Sequence, residues 1–150
     1  MADLKGSEII EHFAQIAPYV NDIIPGDIGV TIAKDYKYTL YIPADSLNLG
    51  TMVGEEVKSG GTRQAFETGK QVVRVIPKEK SPYGVGYIVC STPYFDDGKV
   101  AGVITITQGT EHFEKITNAA TDLAASSEEL SASIQELASR AAQLATTSKE

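Results

Sequence analysis

The 150-residue sequence contains a single cysteine, Cys90, and two histidines. One cysteine cannot form an intramolecular disulfide, and the sequence has no CxxC motif or Cys/His cluster at metal-ligand spacing. Basic residues are also scarce, because 13 Lys and Arg face 20 Asp and Glu, for a formal net charge of −7. Such a chain would repel a polyanion, which argues against nucleic-acid binding. We expect a reducing, cytoplasmic setting and no resident metal.

Long apolar runs and catalytic motifs are absent as well. No stretch approaches the roughly 18 to 20 consecutive apolar residues that cross a bilayer, and residues 1–13 lack the apolar core of a signal peptide. The sequence has no GxSxG, Walker A, HExxH or dinucleotide-binding motif. The Gly60–Gly61 pair precedes a short helix but lacks the lysine of a phosphate-binding loop. We therefore expect a binding domain that is neither an enzyme nor membrane-spanning.

Glycine and proline are unevenly distributed along the sequence. All 13 glycines and all 6 prolines lie at or before Gly109. Residues 110–150 are rich in Ala, Ser, Thr, Glu and Leu and contain no strong helix breaker. The sequence therefore predicts a globular domain over residues 1–109 and a long helix over residues 110–150.

Apolar residues in this tail recur every seven positions. Leucine dominates position d of the repeat, and position a alternates large and small side chains. A heptad repeat sustained over about five repeats is typical of a left-handed coiled coil, so we expect a homodimer through this helix. The uneven a row predicts an association that is tunable rather than maximally tight. The large residues of the predicted seam are Phe113, Ile116, Leu123, Leu130, Ile134, Leu137 and Leu144.

The globular part reads as a helix followed by a small sheet. Apolar residues at helical spacing predict a helix over residues 7–24, broken or kinked at Pro18. Alternating patterns predict strands over residues 28–34, 36–42, 71–76, 85–94 and 99–107, with a tight turn at Asp97–Gly98. Thr62 is predicted to cap a short helix that runs from Arg63 to Thr68 and ends at Gly69. The expected fold is α+β with a five-stranded antiparallel sheet.

Several segments together resemble a known family. They are VGEEVKSGGTRQAFETGK, YGVGYIVCSTPYFDDGKVAGVITI and, in the tail, AASSEELSASIQELA. They resemble soluble methyl-accepting chemotaxis receptors with a single Cache or PAS-like sensor domain. The resemblance implies a sheet order of 2-1-5-4-3, with the N-terminal helix on one face and a ligand pocket on the other. It also implies a chemotaxis receptor, truncated before its kinase-contacting tip, whose full-length form engages a histidine kinase and an adaptor.

The tail can be matched to the receptors' methylation motif. Ala124–Ala125, Glu128–Glu129 and Ala132–Ser133 resemble it fully, while the match around Glu136 is partial. By resemblance, Glu129 and Glu136 would accept methyl groups, and each ester would remove one negative charge. The alternative is that glutamates outside the seam only keep an alanine-rich helix soluble.

The ligand site is the least determined feature. Arg74 alternates with apolar residues on the third strand, where its guanidinium could bind a carboxylate or another anion; the alternative is a solvent-exposed or acid-paired edge-strand arginine. Among five tyrosines that could form a pocket wall we select Tyr38 and Tyr87. On the fifth strand Thr105 and Thr107 share the face that we expect to line the pocket.

Two other interpretations remain open. His12 and His112 could form a bis-histidine haem or metal site if the first and last helices met, although two histidines without a further ligand are a weak signal. The chain could instead be a constitutive assembly module with a filled core, in which only the coiled coil matters. We expect no cofactor and a small-molecule ligand of unknown identity.

Overall fold

The computed structural model describes residues 4–24 and 26–147, apart from the side chains of residues 112 and 114. Five antiparallel strands form one sheet in the order β2-β1-β5-β4-β3. This confirms the predicted α+β fold and the strand order that the resemblance implied. The elements in chain order are α1 (Gly6–Ile16), α2 (Val20–Ile23), β1 (Ile28–Lys34), β2 (Lys37–Ile42), α3 (Gly60–Thr68), β3 (Val72–Ile76), β4 (Tyr87–Asp96), β5 (Lys99–Gly109) and α4 (Glu111–Thr147).

The N-terminal helix is interrupted where proline predicts it. α1 ends at Ile16, and a 3-10 turn containing Pro18 separates it from α2. The apolar stripe of this segment packs on the sheet through Ile10, Ala17 and Val20, all of which are buried. A proline in the helix interior removes one backbone hydrogen bond, which explains the break.

The sheet carries a separate apolar core on each face. On the α1 face Ile10 packs with Val30, Ile32 and Ile104. On the α3 face Ala33 and Val103 of the sheet pack with Val57, Ala65 and Phe66. Strand β1 is therefore buried on both sides, and its alternate residues serve the two cores.

Both hairpins turn through residues with positive φ. Asp97 and Gly98 join β4 to β5 with φ values of 48° and 80°, which confirms the predicted tight turn. Tyr36, in the turn between β1 and β2, has a φ of 58°, which is unfavourable for a bulky side chain. Its ring stacks on Phe66 at 4.6 Å, and the Arg63 guanidinium lies 4.7 Å from its centre. These contacts offset the strain and fix the turn against α3.

Helix α3 begins earlier than the sequence predicted. Its first residue is Gly60 and its N-cap is Ser59, so the prediction that Thr62 caps the helix is wrong. The reason is that the Thr62 hydroxyl faces the sheet, 2.8 Å from the hydroxyl of Thr105. The predicted end is confirmed, since Gly69 adopts a left-handed conformation with a φ of 61°.

The chain divides into two compact units between Glu111 and His112. The second unit contains all of α4 except its first residue, and the helix continues without interruption to Thr147. None of the helices in the described part of the chain is long and apolar enough to cross a membrane.

Candidate functional site

A cavity of about 300 Å³ lies between the sheet and the start of α3. All five strands contribute to its wall, through Thr31 on β1, Tyr38 on β2, Arg74 on β3, Tyr87 on β4 and Thr105 on β5. The residues that begin α3, 59–62, close it from above. The apolar part of the wall is formed by Leu49, Ile76 and Val89. A concave site with a few convergent polar groups is typical of small-molecule binding.

The floor of the cavity is part of a row of hydroxyl groups that crosses the sheet. Tyr41, Thr31, Thr105 and Ser91 lie opposite one another on β2, β1, β5 and β4. The Thr105 hydroxyl donates to Ser91 Oγ at 2.9 Å and also meets the hydroxyl of Thr62 on α3. These hydrogen bonds are buried, since Ser91 is 0% and Thr105 4% exposed. The polar floor is therefore held rigidly.

Thr31 differs from its neighbours in this row. It is only 4% exposed and lines the cavity. Within the residues that the structure describes, its hydroxyl makes no hydrogen bond. No buried side-chain N or O atom of the described residues lacks a hydrogen-bond partner, so this hydroxyl is not sealed inside the protein. It is open to the cavity, where water or a ligand can bind it.

Arg74 provides the positive charge of the cavity wall. It lies on β3, an edge strand, and is exposed to solvent, as the alternative interpretation of this residue predicted. Its Nη2 donates to Gln64 Oε1 at 2.6 Å. The partner is a neutral amide, so the charge of the guanidinium is not compensated by a carboxylate within the described cavity wall. Its remaining N–H groups can bind an anion in the fork geometry that suits carboxylates.

The start of α3 adds a second feature that favours anions. Ser59 is extended, and its side chain does not cap the helix. The first N–H groups of a helix have no partner inside the helix and carry partial positive charge. Gly61 allows close approach here, because a β-carbon at this position would lie 3.0 Å from Ser91 Oγ.

Tyrosines form the remaining wall. Burial, followed by the nearby Glu55 carboxylate and Tyr83, raises the pKa of Tyr38. Burial and then Tyr83 likewise raise the pKa of Tyr87. Both hydroxyls therefore stay protonated at neutral pH and can donate hydrogen bonds. The rings of Tyr83 and Tyr87 meet edge to face, with centres 5.9 Å apart.

The structure brings together four of the five residues that the sequence analysis selected. Arg74, Tyr38, Tyr87 and Thr105 line the cavity. Thr107 does not: it is 2% exposed and lies beside Gly29 of β1, where an added β-carbon would come within 3.3 Å of its hydroxyl. The alternation of β5 correctly assigns Thr107 to the same sheet face as Thr105. It does not indicate where along the strand the cavity ends.

Among the lining residues that the sequence analysis did not select are Thr31, Thr62 and Tyr83, the last of which was one of the five candidate tyrosines. Thr31 could have been found from the alternation of β1, because it points to the face opposite Val30 and Ile32. Thr62 was interpreted as a helix cap. Tyr83 lies in an irregular turn, where periodicity carries no information.

The loop over the cavity is fastened to the sheet at three points. Asp27 accepts hydrogen bonds from the backbone N–H groups of Asp45 and Ser46, at 2.5 and 2.7 Å. The Tyr41 hydroxyl accepts from the N–H of Leu49 at 2.7 Å. The Tyr83 hydroxyl donates to the Leu49 carbonyl at 3.3 Å, which joins the two sides of the cavity entrance.

The end of β5 is connected to the same cavity wall. Gly109 pairs with Tyr87, and the Thr110 N–H donates to the Gly86 carbonyl at 2.8 Å. The segment that carries Tyr83 and Tyr87 therefore holds the last residues before α4.

The predicted seam residues of α4 are exposed in the single chain. Their exposed fractions range from 52% for Phe113 to 73% for Leu137. Glu129 and Glu136 are exposed as well, and Glu136 forms an ion pair of 2.6 Å with Arg140. The side chain of His112 lies outside the described residues, so the suggested pairing with His12 stays a prediction. The described residues contain no group of three His, Cys, Asp or Glu side chains that could hold a metal ion.

Comparison with known proteins gives one sequence relative of note. No family model matches the chain. It is 26% identical over 121 residues to YfmS of Bacillus subtilis (strain 168), a protein that is assigned as a sensory transducer. The match covers 79% of this chain but only 42% of YfmS, so the chain spans less than half the length of this relative. The similarity supports a sensory signal-transduction domain.

Two solved structures are similar to part of the chain, with TM-scores just below 0.5. One is a C-terminal domain from Streptococcus mutans, with a TM-score of 0.48 and 18% identity over 71% of this chain and 89% of that one. The other is the extracellular domain of mmHK1S-Z2, assigned as a histidine kinase, with a TM-score of 0.49 and 16% identity over 71% of this chain and 48% of that one.

Proposed function

We propose that this chain is the sensory part of a bacterial chemotaxis receptor, which binds a small anion in the cavity under α3 and transmits the binding to a dimeric coiled coil. One observation carries the ligand class: Arg74 is the charged residue of the described cavity wall, and no carboxylate lines that wall beside it. An anion would compensate the charge. The similarity to a sensory transducer supports the signalling role.

The anion would lie between Arg74 and the start of α3. The guanidinium can donate two parallel hydrogen bonds to a carboxylate, and the first N–H groups of α3, above the cavity, also favour negative charge. Because Arg74 and Gln64 are already joined, the arginine is oriented before the ligand arrives. Preorganisation of this kind lowers the entropy cost of binding.

Binding would reach α4 through the wall that holds the end of β5. A ligand that contacts Tyr83 or Tyr87 can shift the segment whose Gly86 carbonyl holds the Thr110 N–H. The ligand biases the receptor only if it binds one position of this segment more tightly than another. The short distance in sequence from Tyr87 to Gly86 makes this the most direct route from the cavity to the helix.

The output would be a homodimer formed by the seam of α4. Large apolar side chains exposed at heptad spacing bury most area against a second copy of the same seam. In the full-length receptor the paired helices would engage a histidine kinase and its adaptor. Methylation of Glu129 and Glu136 would remove charge from each helix, and at Glu136 it would also break the ion pair with Arg140.

The test of the ligand class is calorimetric titration with a panel of small carboxylates, inorganic phosphate and amino acids. We expect at least one anion to bind and to raise the unfolding temperature. Arg74→Gln should weaken that binding by about tenfold or more, because a hydrogen-bonded charge is lost. Arg140→Gln removes the same charge from α4 and should leave affinity unchanged.

A constitutive assembly module is the second candidate. The exposed seam of α4 favours it, because dimer formation needs no ligand. If no anion of the panel binds and dimerisation is unaffected by any of them, the chain is an assembly module and the sensor proposal is wrong.

A further inference from the structure

The cavity has two chemically different ends. Arg74 is on β3 and Thr31 is on β1, three steps across the sheet. At the usual spacing between strands these two strands lie roughly 14 Å apart. The arginine side chain covers part of that distance, and the rest is long enough for a molecule that touches both ends.

The direction of the hydrogen bonds at the floor can be deduced. A threonine hydroxyl has one proton, and Thr105 donates its proton to Ser91. Thr105 must therefore accept from Thr62, whose hydroxyl lies 2.8 Å away. Thr62 is left with lone pairs only, and so can accept a hydrogen bond from a ligand but not donate one.

Thr31 complements Thr62. The Thr31 residue is 4% exposed and lines the cavity, and its hydroxyl makes no hydrogen bond within the described part of the chain. No buried side-chain polar atom of the described residues is without a partner, so this hydroxyl is open to the cavity and can offer both its proton and its lone pairs to a ligand. A ligand group that both donates and accepts would satisfy the two threonines together. A hydroxyl or amide does so without bringing a charge into a buried polar site.

The end of the cavity that holds Arg74 disfavours a second positive charge. The ammonium of an α-amino acid is one carbon away from its carboxylate, so it would lie beside the Arg74 guanidinium, which is positive. Glu55, the acid that acts on Tyr38, is bonded through its backbone to β2, which is at the opposite edge of the sheet from β3.

We infer that the cavity selects a carboxylate that carries an uncharged hydrogen-bonding group at its far end and no α-ammonium, and that Thr31 is the residue that determines this selectivity. The inference rests on the proposed anion-binding function. The inference adds to that proposed function the length and polarity of the ligand.

Three probes with one skeleton test the inference in calorimetric titrations. They are 3-(4-hydroxyphenyl)propanoate, 3-phenylpropanoate, which lacks the hydroxyl, and L-tyrosine, which adds the α-ammonium. We expect the hydroxylated acid to bind roughly tenfold more tightly than the phenyl acid, because the latter leaves Thr31 unpaired. L-Tyrosine should bind about tenfold or more weakly than the hydroxylated acid, because its ammonium would lie beside the positive guanidinium of Arg74.

Two matched variants assign the selectivity to one side chain. Thr31→Val replaces a hydroxyl by a methyl group of similar size and should bring the ratio of the two acids close to one. Thr107→Val makes the same change on the same sheet face outside the cavity, and should keep the ratio. Equal unfolding temperatures of the two variants would establish that folding is not the cause.

The outcomes separate the two proposals. If both acids bind equally and both need Arg74, the selectivity inference is wrong and anion binding stands. The same conclusion follows if neither acid binds while another anion of the panel does. If Thr31→Val keeps the preference, Thr31 is not the determinant. If no anion binds at all, both proposals fail.

Discussion

Adjacent glycines at the start of α3 should respond to alanine in different ways. Gly60 has a φ of 88°, and nothing lies within 4 Å of an added β-carbon. Gly60→Ala therefore costs backbone strain, which we place at about 1–2 kcal/mol. Gly61 has no positive φ, so its substitution adds no such strain. Its β-carbon would instead lie 3.0 Å from Ser91 Oγ and 3.5 Å from Val89.

The cost of Gly61→Ala should come from Ser91 alone. Ser91 is fully buried and is held by the proton of Thr105, so it can move only by weakening that hydrogen bond. The loss is about 1 kcal/mol, and the better helix propensity of alanine returns up to a similar amount. We expect a net change in the free energy of unfolding below about 1 kcal/mol, with weaker ligand binding because the methyl group enters the cavity.

A double-mutant cycle measured by urea unfolding tests this reasoning. Ser91→Ala removes the oxygen, and the remaining Ser91 β-carbon is 3.8 Å from the added one, an ordinary contact. In the Ser91→Ala background Gly61→Ala should therefore be neutral or stabilising, whereas Gly60→Ala should cost the same in both backgrounds. An equal cost of Gly61→Ala in both backgrounds would refute the assignment.

Three further predictions concern the coiled coil, the loop and the exit from the sheet. Leu130→Ser should weaken dimerisation by about 3 kcal/mol or more, because each copy loses one buried leucine, whereas Glu128→Ser should leave it unchanged. Sedimentation equilibrium measures both variants, and equal dimer dissociation constants would contradict the predicted seam. Burial raises the pKa of Asp27, but hydrogen bonds from Ser46 and Asp45 outweigh it and lower the pKa. The stabilisation by the Asp27 carboxylate is therefore present above about pH 4 and lost as the pH falls through the folded pKa. Asp27→Asn should destabilise the fold more at pH 7 than at pH 3 in urea titrations. A pH-independent effect would count against this reasoning. Thr110→Pro removes the N–H bound to Gly86 and should keep anion affinity while abolishing any ligand effect on dimerisation; an intact effect would rule out this route.

Much of the fold follows from local patterns in the sequence. The break at Pro18, the turn at Asp97–Gly98 and the helix end at Gly69 each depend on one residue whose backbone preference is strong. The prediction of where α3 begins was wrong for a physical reason. The side chain of Thr62 can cap a helix, but here its hydroxyl is hydrogen-bonded to the hydroxyl of Thr105, 43 residues away along the chain.

The candidate site was predictable only in part. Period-two alternation assigns Arg74 and Thr105 to sheet faces, yet it cannot tell how far the cavity extends along a strand. Thr107 and Thr105 share a face of β5, and only the position of α3 above the sheet separates them. Tyr83 reaches the cavity from a turn, through a tertiary contact with the Leu49 carbonyl that no periodicity encodes.

The uneven seam of α4 suits a helix whose pairing is controlled by a small ligand. A ligand with tenfold different affinities for two states changes their balance by about 1.4 kcal/mol. A seam of large residues at every a and d position would store far more energy than that, and binding could not alter its packing. Between Phe113 and Ile134 position a holds Ala120 and Ser127, which would bury little apolar area in the proposed dimer and would leave that stretch weakly paired. The weak stretch is therefore where we expect ligand binding to change the packing of the two helices.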